Sequence, residues 1–439
     1  MRVQRLIIDA SPTKDFFIDM LVKDIELKQA IVDLVDNCVD GALRIRPSRN
    51  YEGLFVRVEA TPERFRIVDN CGGISVDLAR TYAFRFGRPE GMPSIPHSVG
   101  HVGVGMKRAL FKLGSKFKVE STTETSQFVV EEDVNEWKTR EEWQFQFKVL
   151  KEDLSNVPPD QRGSTITVDP LHESVAEDFG LENFINRLRR GIRQAHQQTI
   201  EKGLTITLNG IPLEAHPMEL FYSDKLRPAF FEEKITQNGG SVNVKVYAGI
   251  AQSDPEKAGW YIYCNGRMVM GADQTITTGW GKGGEITIPK YHNQFARFRG
   301  FTYFDSDNAG LLPWNTTKTG VDADSPIFRA VSLRMVTLMR PVIDFLNKLD
   351  AEKDVETDDK PLDREVTTAR VASVADVPTY NTFMAPKPKP RPTLPRLGRI
   401  AYNKPVDQIN KVKKVLKVTT YREVGEKTFD YFYERECEE

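Results

Sequence analysis

Residues 26–42 constrain the fold more than any other stretch. Wound as a helix at about 100° per residue, Leu27, Ala30, Ile31, Leu34, Val35, Cys38 and Ala42 form one broad apolar arc. Glu26, Gln29, Asp33, Asp36, Asn37 and Asp40 lie opposite. An apolar arc that wide has to be covered by a second layer of structure. The polar arc admits two readings. It is a solvated outer face, or it is one wall of a binding site in which Asp33 and Asn37, four residues apart, project together.

The covering layer is legible in the flanking sequence. LFVRVEA (54–60) and RFRIVDN (64–70) alternate as strands across a turn at Thr61-Pro62-Glu63. FKVEST, QFVVEED, WQFQFKVL and STITVDP carry further strand patterns, and residues 75–100, rich in Gly, Pro, Ser and His, predict a long loop. GMKRALFKLG (105–114) reads as a helix ending at Gly114, and residues 181–202 as one long helical segment. The mixture predicts an α+β sandwich with helices on one face of a sheet. From about residue 203 the pattern changes to LTITLNGIPL, SVNVKVYAGIA and GWYIYCNGRMVM, followed by a helix over 328–349, which predicts a second α/β unit. The expected division is 1–202, 203–350, an acidic then Pro-rich linker over 351–399, and a small basic and aromatic element over 400–439.

Composition excludes more than it assigns. A net charge of −1 argues for no partner through the global field. Four scattered cysteines (Cys38, Cys71, Cys264, Cys437) without a CxxC pair fit a reducing compartment and argue against structural zinc. The N-terminus has no long apolar core of a secretory signal, and no apolar run approaches the roughly 20 residues of a membrane span. A cytoplasmic protein with no membrane partner is the expectation.

Two glycine-bearing segments bear on the polar arc. In RIVDNCGGI (66–74) a strand runs into Asp69 and then into two glycines, which allow unusual backbone angles and close approach. In SVGHVGVGMKRAL (98–110) a G-x-x-G-x-G run opens a helix, whose first N–H groups can hold phosphates. The P-loop pattern G-x-x-x-x-G-K-[ST] is absent. The dinucleotide fingerprint is not met either, because a Pro/Ser/His loop, not a strand, precedes the glycines.

Together with IVDLVDN (31–37), and in this order, these segments resemble the nucleotide site of the GHKL ATPases: gyrase B, the 90-kDa heat-shock chaperones, histidine kinases and MutL. That site combines E-x-x-x-N on a helix, D-x-G-x-G after a strand, a G-x-x-G-x-G lid and a later G-[ST]-x-[IV] strand, here RGSTITV (162–168). The resemblance implies a Bergerat-type ATP-binding sandwich that takes ATP and Mg²⁺. It implies that Asn37 helps coordinate Mg²⁺, that Asp69 accepts from the adenine amino group, and that Gly73 lets the backbone pass the nucleotide. It further implies a lid of Gly100, Val102, Gly103, Val104, Gly105 and Met106 with Lys107 as a charge partner, and Ser164 or Thr165 at the adenine end. Two positions depart from the family pattern. Cys71 stands where the first glycine of D-x-G-x-G is expected. Asp33 stands where many members carry the Glu that acts as general base, one methylene shorter.

The resemblance extends over 15–350. LPWNTTKTGVD (312–322) looks like the loop by which a ribosomal-S5-like transducer domain presents a lysine, here Lys318, to the γ-phosphate. GWYIYCNGRMVM resembles the transducer strand with N-[GN]-R in MutL and MORC proteins, and GVGMKRALFKLG is similar to MORC and topoisomerase VI B. No phospho-acceptor helix supports a histidine kinase. The implied activity is ATP hydrolysis in an ATP-dependent homodimeric clamp on DNA, in bacterial defence or restriction with a partner effector protein. The competing expectation is a chaperone-like or scaffold switch for a protein client. From Ala385 to Val418 ten Lys/Arg face one Asp, a block suited to phosphates or to a solvated linker. Arg187, Arg189, Arg190 and Arg193 offer a second basic face.

Overall fold

Strict alternation along the strands sets the first layer. In β3 (Lys116–Thr122) and β4 (Gln127–Asp133) every second residue is buried, as a sheet covered on one face requires. They join β1 (Phe55–Ala60), β2 (Phe65–Asp69), β5 (Phe147–Lys151), β6 (Gly163–Val168), β7 (Thr205–Leu208) and β8 (Ile211–Pro212). The eight strands are ordered β5-β4-β3-β6-β2-β1-β7-β8, and only β1 and β7 run parallel. This computed structural model describes residues 12–23, 25–87, 96–100, 103–237, 239–284, 286–353, 360–386 and 400–437.

The helices Leu27–Ile45, Gly105–Leu113 and Glu182–Ala195 share one core with that sheet. Gln29, Asp33, Asp36 and Asp40 on the polar arc of the Leu27–Ile45 helix are buried along with its apolar residues, so the solvated-face reading does not hold. The Lys14–Lys23 helix is fixed by its first residue. The buried Lys14 Nζ donates to the carbonyls of Trp137, Arg140 and Glu142 at 2.9, 2.6 and 2.8 Å, and lies over the Trp137 ring.

A second sheet is ordered β10-β11-β14-β12-β13. Its strands are β10 (Ala229–Gln237), β11 (Gly240–Ile250), β12 (Gly259–Cys264), β13 (Arg267–Asp273) and β14 (Phe298–Asp305). Strand β12 is buried at every position. Trp260, Ile262 and Cys264 join the core under the Pro326–Lys353 helix, whereas Tyr261 and Tyr263 face the other way, toward Phe301 and Leu220. Two-sided burial explains the near-continuous apolar run in the sequence. β9 (Glu219–Tyr222) and β15 (Arg370–Ser373) pair as a separate ribbon.

Four sequence expectations change. LTITLNGIPL, assigned to the second unit, is the β7–β8 edge of the first sheet, because the open side of β1 pairs with β7. The expected loop at 75–100 contains a helical turn, Val76–Leu78, continuing into a π-turn, Ala79–Ala83. The single helix over 181–202 breaks at His196 into Glu182–Ala195 and Gln197–Glu201. Within the 351–399 stretch expected as linker, Pro361–Thr368 is helical, and Leu362, Val366, Val374, Val377 and Phe383 are buried. These apolar side chains hold 361–386 against the second sheet.

Contacts divide the chain at Pro388 and Lys389. The later unit is a pair of helices, Val406–Leu416 and Tyr421–Glu436. A reciprocal Thr420/Glu423 cap starts the second helix. Tyr421, Phe429, Tyr431, Phe432 and Tyr433 are exposed on this pair.

Gly300 of β14 lies beneath the Trp260 indole, where an added Cβ would come within 2.3 Å of the ring. Gly300→Val is therefore expected to lower unfolding free energy by about 2–3 kcal/mol, read as a reduced urea midpoint at unchanged m-value.

Candidate functional site

Register places a polar row on the helix-covered face of the first sheet. Asp69 pairs with Ser164, and Ser164 with Ser121. Alternation puts these three on the same face as the buried Ile67, Ile166 and Val119. Asp69 Oδ1 accepts from the Cys71 N–H at 2.7 Å, and Oδ2 receives the Cys38 thiol at 3.4 Å. Burial pushes the Asp69 carboxyl up to about 6, against the lowering effect of these bonds. The chain then turns through Gly72 and Gly73, at φ +85° and +69°. A Cβ on Gly73 would fall 2.3 Å from the Thr122 carbonyl oxygen, so this glycine is required by packing against β3. Cys71 is buried beside Gly41 and has no positive φ, so a side chain fits there.

Above this row stands the Leu27–Ile45 helix. Buried carboxylates have to be paired, and each one here is. Asp33 Oδ1 accepts from Gln29 Nε2 at 3.1 Å and Oδ2 from Arg108 Nη2 at 2.7 Å. Asp40 accepts the N–H groups of Val99 and Gly100, both at 2.7 Å. Its carboxyl sits at about 6, raised by burial and partly restored by those two donors. Asp36 is fully buried. Burial alone would raise its carboxyl, but Arg267 and Lys318 hold it well below the usual range. Asn37 is exposed, as is Glu26 just before the helix, and Asn37 lines the cavity. Its amide has no side-chain hydrogen bond among the described residues.

The Gly105–Leu113 helix points its N-terminus into the same cavity. Val104 supplies no side-chain cap, which leaves the first-turn N–H groups for an anion. Lys107 is bonded to the protein itself. It is buried, and its Nζ donates to the carbonyls of Ala83 and Gly103 at 2.9 and 2.5 Å. Burial lowers its ammonium to about 7. Lys107 thus ties Gly103, just before this helix, to the π-turn at Ala83.

The second sheet reaches this helix through two turns. Asn265 and Gly266 form the β12–β13 hairpin turn at φ +50° and +82°, a pairing suited to a two-residue turn with positive φ. Asn265 Nδ2 donates to the carbonyls of Ser98 and Ser306, each at 3.0 Å. Arg267 Nε contacts both Asp36 oxygens at 2.8 and 3.0 Å. Lys318, held at φ +54°, donates its Nζ to Asp36 Oδ2 at 2.6 Å. His196 Nε2 lies 3.1 Å from Asp36 Oδ1. His196 stays neutral, because burial lowers its pKa more than Asp36 raises it.

One cavity collects Asp33, Asn37, Asp69, Gly73, Gly100, Gly103, Val104, Gly105, Met106, Lys107, Ser164 and Lys318. Thr165 is not among its lining residues. Its partners in register are Val68 and Glu120, so it leaves β6 on the opposite face from Ser164. Val102 lies outside the described residues. Sequence reasoning missed Arg108, Asp40, Arg267 and His196, and also Arg44, which lines the cavity and donates to the Gly73 carbonyl at 2.6 Å. Asp40 shared the polar arc and Arg267 stood in the N-G-R segment, but no local pattern marks Arg108 as the partner of Asp33.

Residues 25–163 match the family model described as histidine kinase-, DNA gyrase B-, and HSP90-like ATPase. The match spans the helix carrying Asp33 and Asn37, the Asp69–Gly73 turn, the lid and the start of β6. This part of the chain belongs to the GHKL ATPase superfamily and is an ATP-binding domain of that type. No curated protein matches the chain. No helix among the described residues is long and apolar enough to cross a membrane.

Replacing Asp69 by Asn removes a charged acceptor. ATP affinity is expected to fall about 10- to 100-fold, measured by titration calorimetry. Because Asp69 titrates above its ordinary range, the folded protein takes up this proton more readily than the unfolded chain. The associated stability is fully present below the ordinary carboxylate pKa and is lost as pH rises through about 6. Relative to Asp69→Asn, the ligand-free wild type should gain up to about 3 kcal/mol between neutral pH and about pH 4, read from denaturant melts.

Proposed function

We propose that this chain is a Mg²⁺-dependent ATPase whose nucleotide enters the cavity between the polar row and the Leu27–Ile45 helix. The observation that supports this most is the convergence on one cavity of Asp69, Asn37, an uncapped helix N-terminus and a lysine from a second sheet. A carboxylate at the foot of β2 suits the exocyclic amine of adenine. Ser164, beside it, supplies a hydroxyl. The first-turn N–H groups of Gly105 and Met106 suit phosphate oxygens, and Lys318 is the cation for the γ-phosphate.

The donor set also suits the metal. Every carboxylate on the helix is already committed to protein donors, which leaves the Asn37 amide oxygen free. Mg²⁺ takes few protein ligands and completes its shell with phosphates and water. When bound, it would neutralise charge on the phosphates. No group of three or more acidic, His or Cys side chains among the described residues is placed to hold a metal ion, and this mode of binding needs none.

Asp33 is the general base in this reading. Its two oxygens each accept one protein donor and keep a lone pair for water. Attack of that water on the γ-phosphorus transfers a proton to Asp33, breaks the bond to the β–γ bridging oxygen and releases ADP and phosphate. Arg108 holds one Asp33 oxygen at 2.7 Å, and turnover waits on a water reaching the remaining lone pairs, which favours a slow reaction. The five-stranded sheet and the Pro326–Lys353 helix would act as an S5-like transducer that senses the nucleotide through Lys318 and Arg267. Two protomers closing on ATP would form a clamp on DNA, and the basic 385–418 block would contact phosphates. Lys411, Lys414 and Lys417 are exposed in that block.

Asp33→Asn is expected to reduce kcat at least about 100-fold while ATP still binds. Asp33→Glu should retain turnover, and Asn37→Ala should lose Mg²⁺-dependent ATP binding. DNA affinity should fall steeply with salt and vanish when 385–439 are removed, as read by fluorescence anisotropy. ATP-driven dimers with no DNA affinity at low salt would instead point to a protein client.

A further inference from the structure

Asp36 lies one residue before Asn37, yet it faces away from any position where it could touch a nucleotide. Its carboxylate is fully buried and is shared by Arg267, Lys318 and the neutral His196. Asp36 therefore meets two positive charges directly, while Asp40, the other carboxylate within the field of Lys318, is held by the Val99 and Gly100 N–H groups. Arg267 grips Asp36 through both carboxylate oxygens and donates from Nη1 to the Lys318 carbonyl at 2.8 Å. Lys318 holds Asp36 through a single flexible ammonium, and its side chain also lines the nucleotide cavity.

We propose that Asp36 is a specificity-determining residue, the resting counter-ion that a γ-phosphate must displace to engage Lys318. The inference rests on the reading of Lys318 given above. An ammonium with one buried carboxylate behind it and an open cavity in front has two possible anions, and they compete. ADP, lacking the third phosphate, leaves Lys318 on Asp36. ATP draws it forward. Arg267 makes the exchange tolerable, because Asp36 keeps a charged donor on both oxygens after the ammonium leaves, and a bare buried carboxylate is avoided. The Arg267 contact to the Lys318 carbonyl keeps the loop backbone in place while the side chain turns. Asp36 thereby sets how strongly the site prefers ATP over ADP without touching either.

The experiment is a set of affinities for ADP and for β,γ-imido-ATP, with Mg²⁺, on the full chain. Wild type is compared with Asp36→Asn, Lys318→Ala, the double variant and Arg267→Lys. Freeing Lys318 in Asp36→Asn should raise the preference for the triphosphate about tenfold, with ADP affinity changed less than about threefold. Lys318→Ala should abolish the preference, and the double variant should match Lys318→Ala. Arg267→Lys weakens the second hold on Asp36, so Lys318 is retained more firmly and the preference should fall. That variant carries the test if Asp36→Asn does not fold. Equal losses of ADP and triphosphate affinity in Asp36→Asn, or an unchanged ratio in Arg267→Lys, would overturn the proposal while leaving the role of Lys318 intact. A wild-type ratio in Lys318→Ala would instead remove the reading of Lys318 itself, and the proposal with it.

Discussion

A single carboxylate that cannot reach water organises the join between the two sheets. Asp36 sits on a helix packed against the first sheet, and its charged partners come from β13 and from the loop before the Pro326–Lys353 helix. A buried charge tolerates no vacancy in its shell. The Asn265-Gly266 turn must therefore deliver Arg267 to one place, the 312–322 loop must deliver Lys318 to the same place, and the helix through Ala195 must stop so that the His196 ring can approach. The positive φ of Lys318 fits this picture, since such a conformation persists only where its surroundings demand it.

The cavity inherits its asymmetry from that arrangement. Its floor is a row of side chains fixed by antiparallel register, with little freedom to move independently. Its far wall is made of groups on turns and loops, each tied by one or two hydrogen bonds. Asn265 on the Ser98 carbonyl and Asp40 on the Val99 and Gly100 N–H groups hold the start of the lid from two elements at once. One half of the cavity is therefore rigid and the other tethered.

Much of the floor was legible in the sequence. Alternation gave β1, β2, β3 and β4, and a strand running into Asp69 and two glycines marked where the row ends. Register then decides between Ser164 and Thr165, a choice that neighbouring residues in sequence cannot make because successive side chains alternate faces. The charged partners were not legible. Arg108 lies 75 residues from Asp33, and Arg267 lies 231 residues from Asp36, distances over which no periodicity operates. The polar arc admitted a solvated reading for the same reason, since its neutralising groups are invisible until the chain is folded. The 361–386 segment looked like linker because its acidic and proline-rich flanks outweighed five apolar residues spaced too irregularly to declare an element.

Lys14 closes off one route of assembly. Its ammonium sits among three carbonyl oxygens much as a desolvated alkali cation would, with an indole face beneath it. Withdrawing the Lys14–Lys23 helix would take that cation from all three oxygens and from the indole face at once. An exchange of this helix between protomers is therefore costly at its first step, and any paired form of the molecule is expected to leave each copy's helix at home on its own sheet.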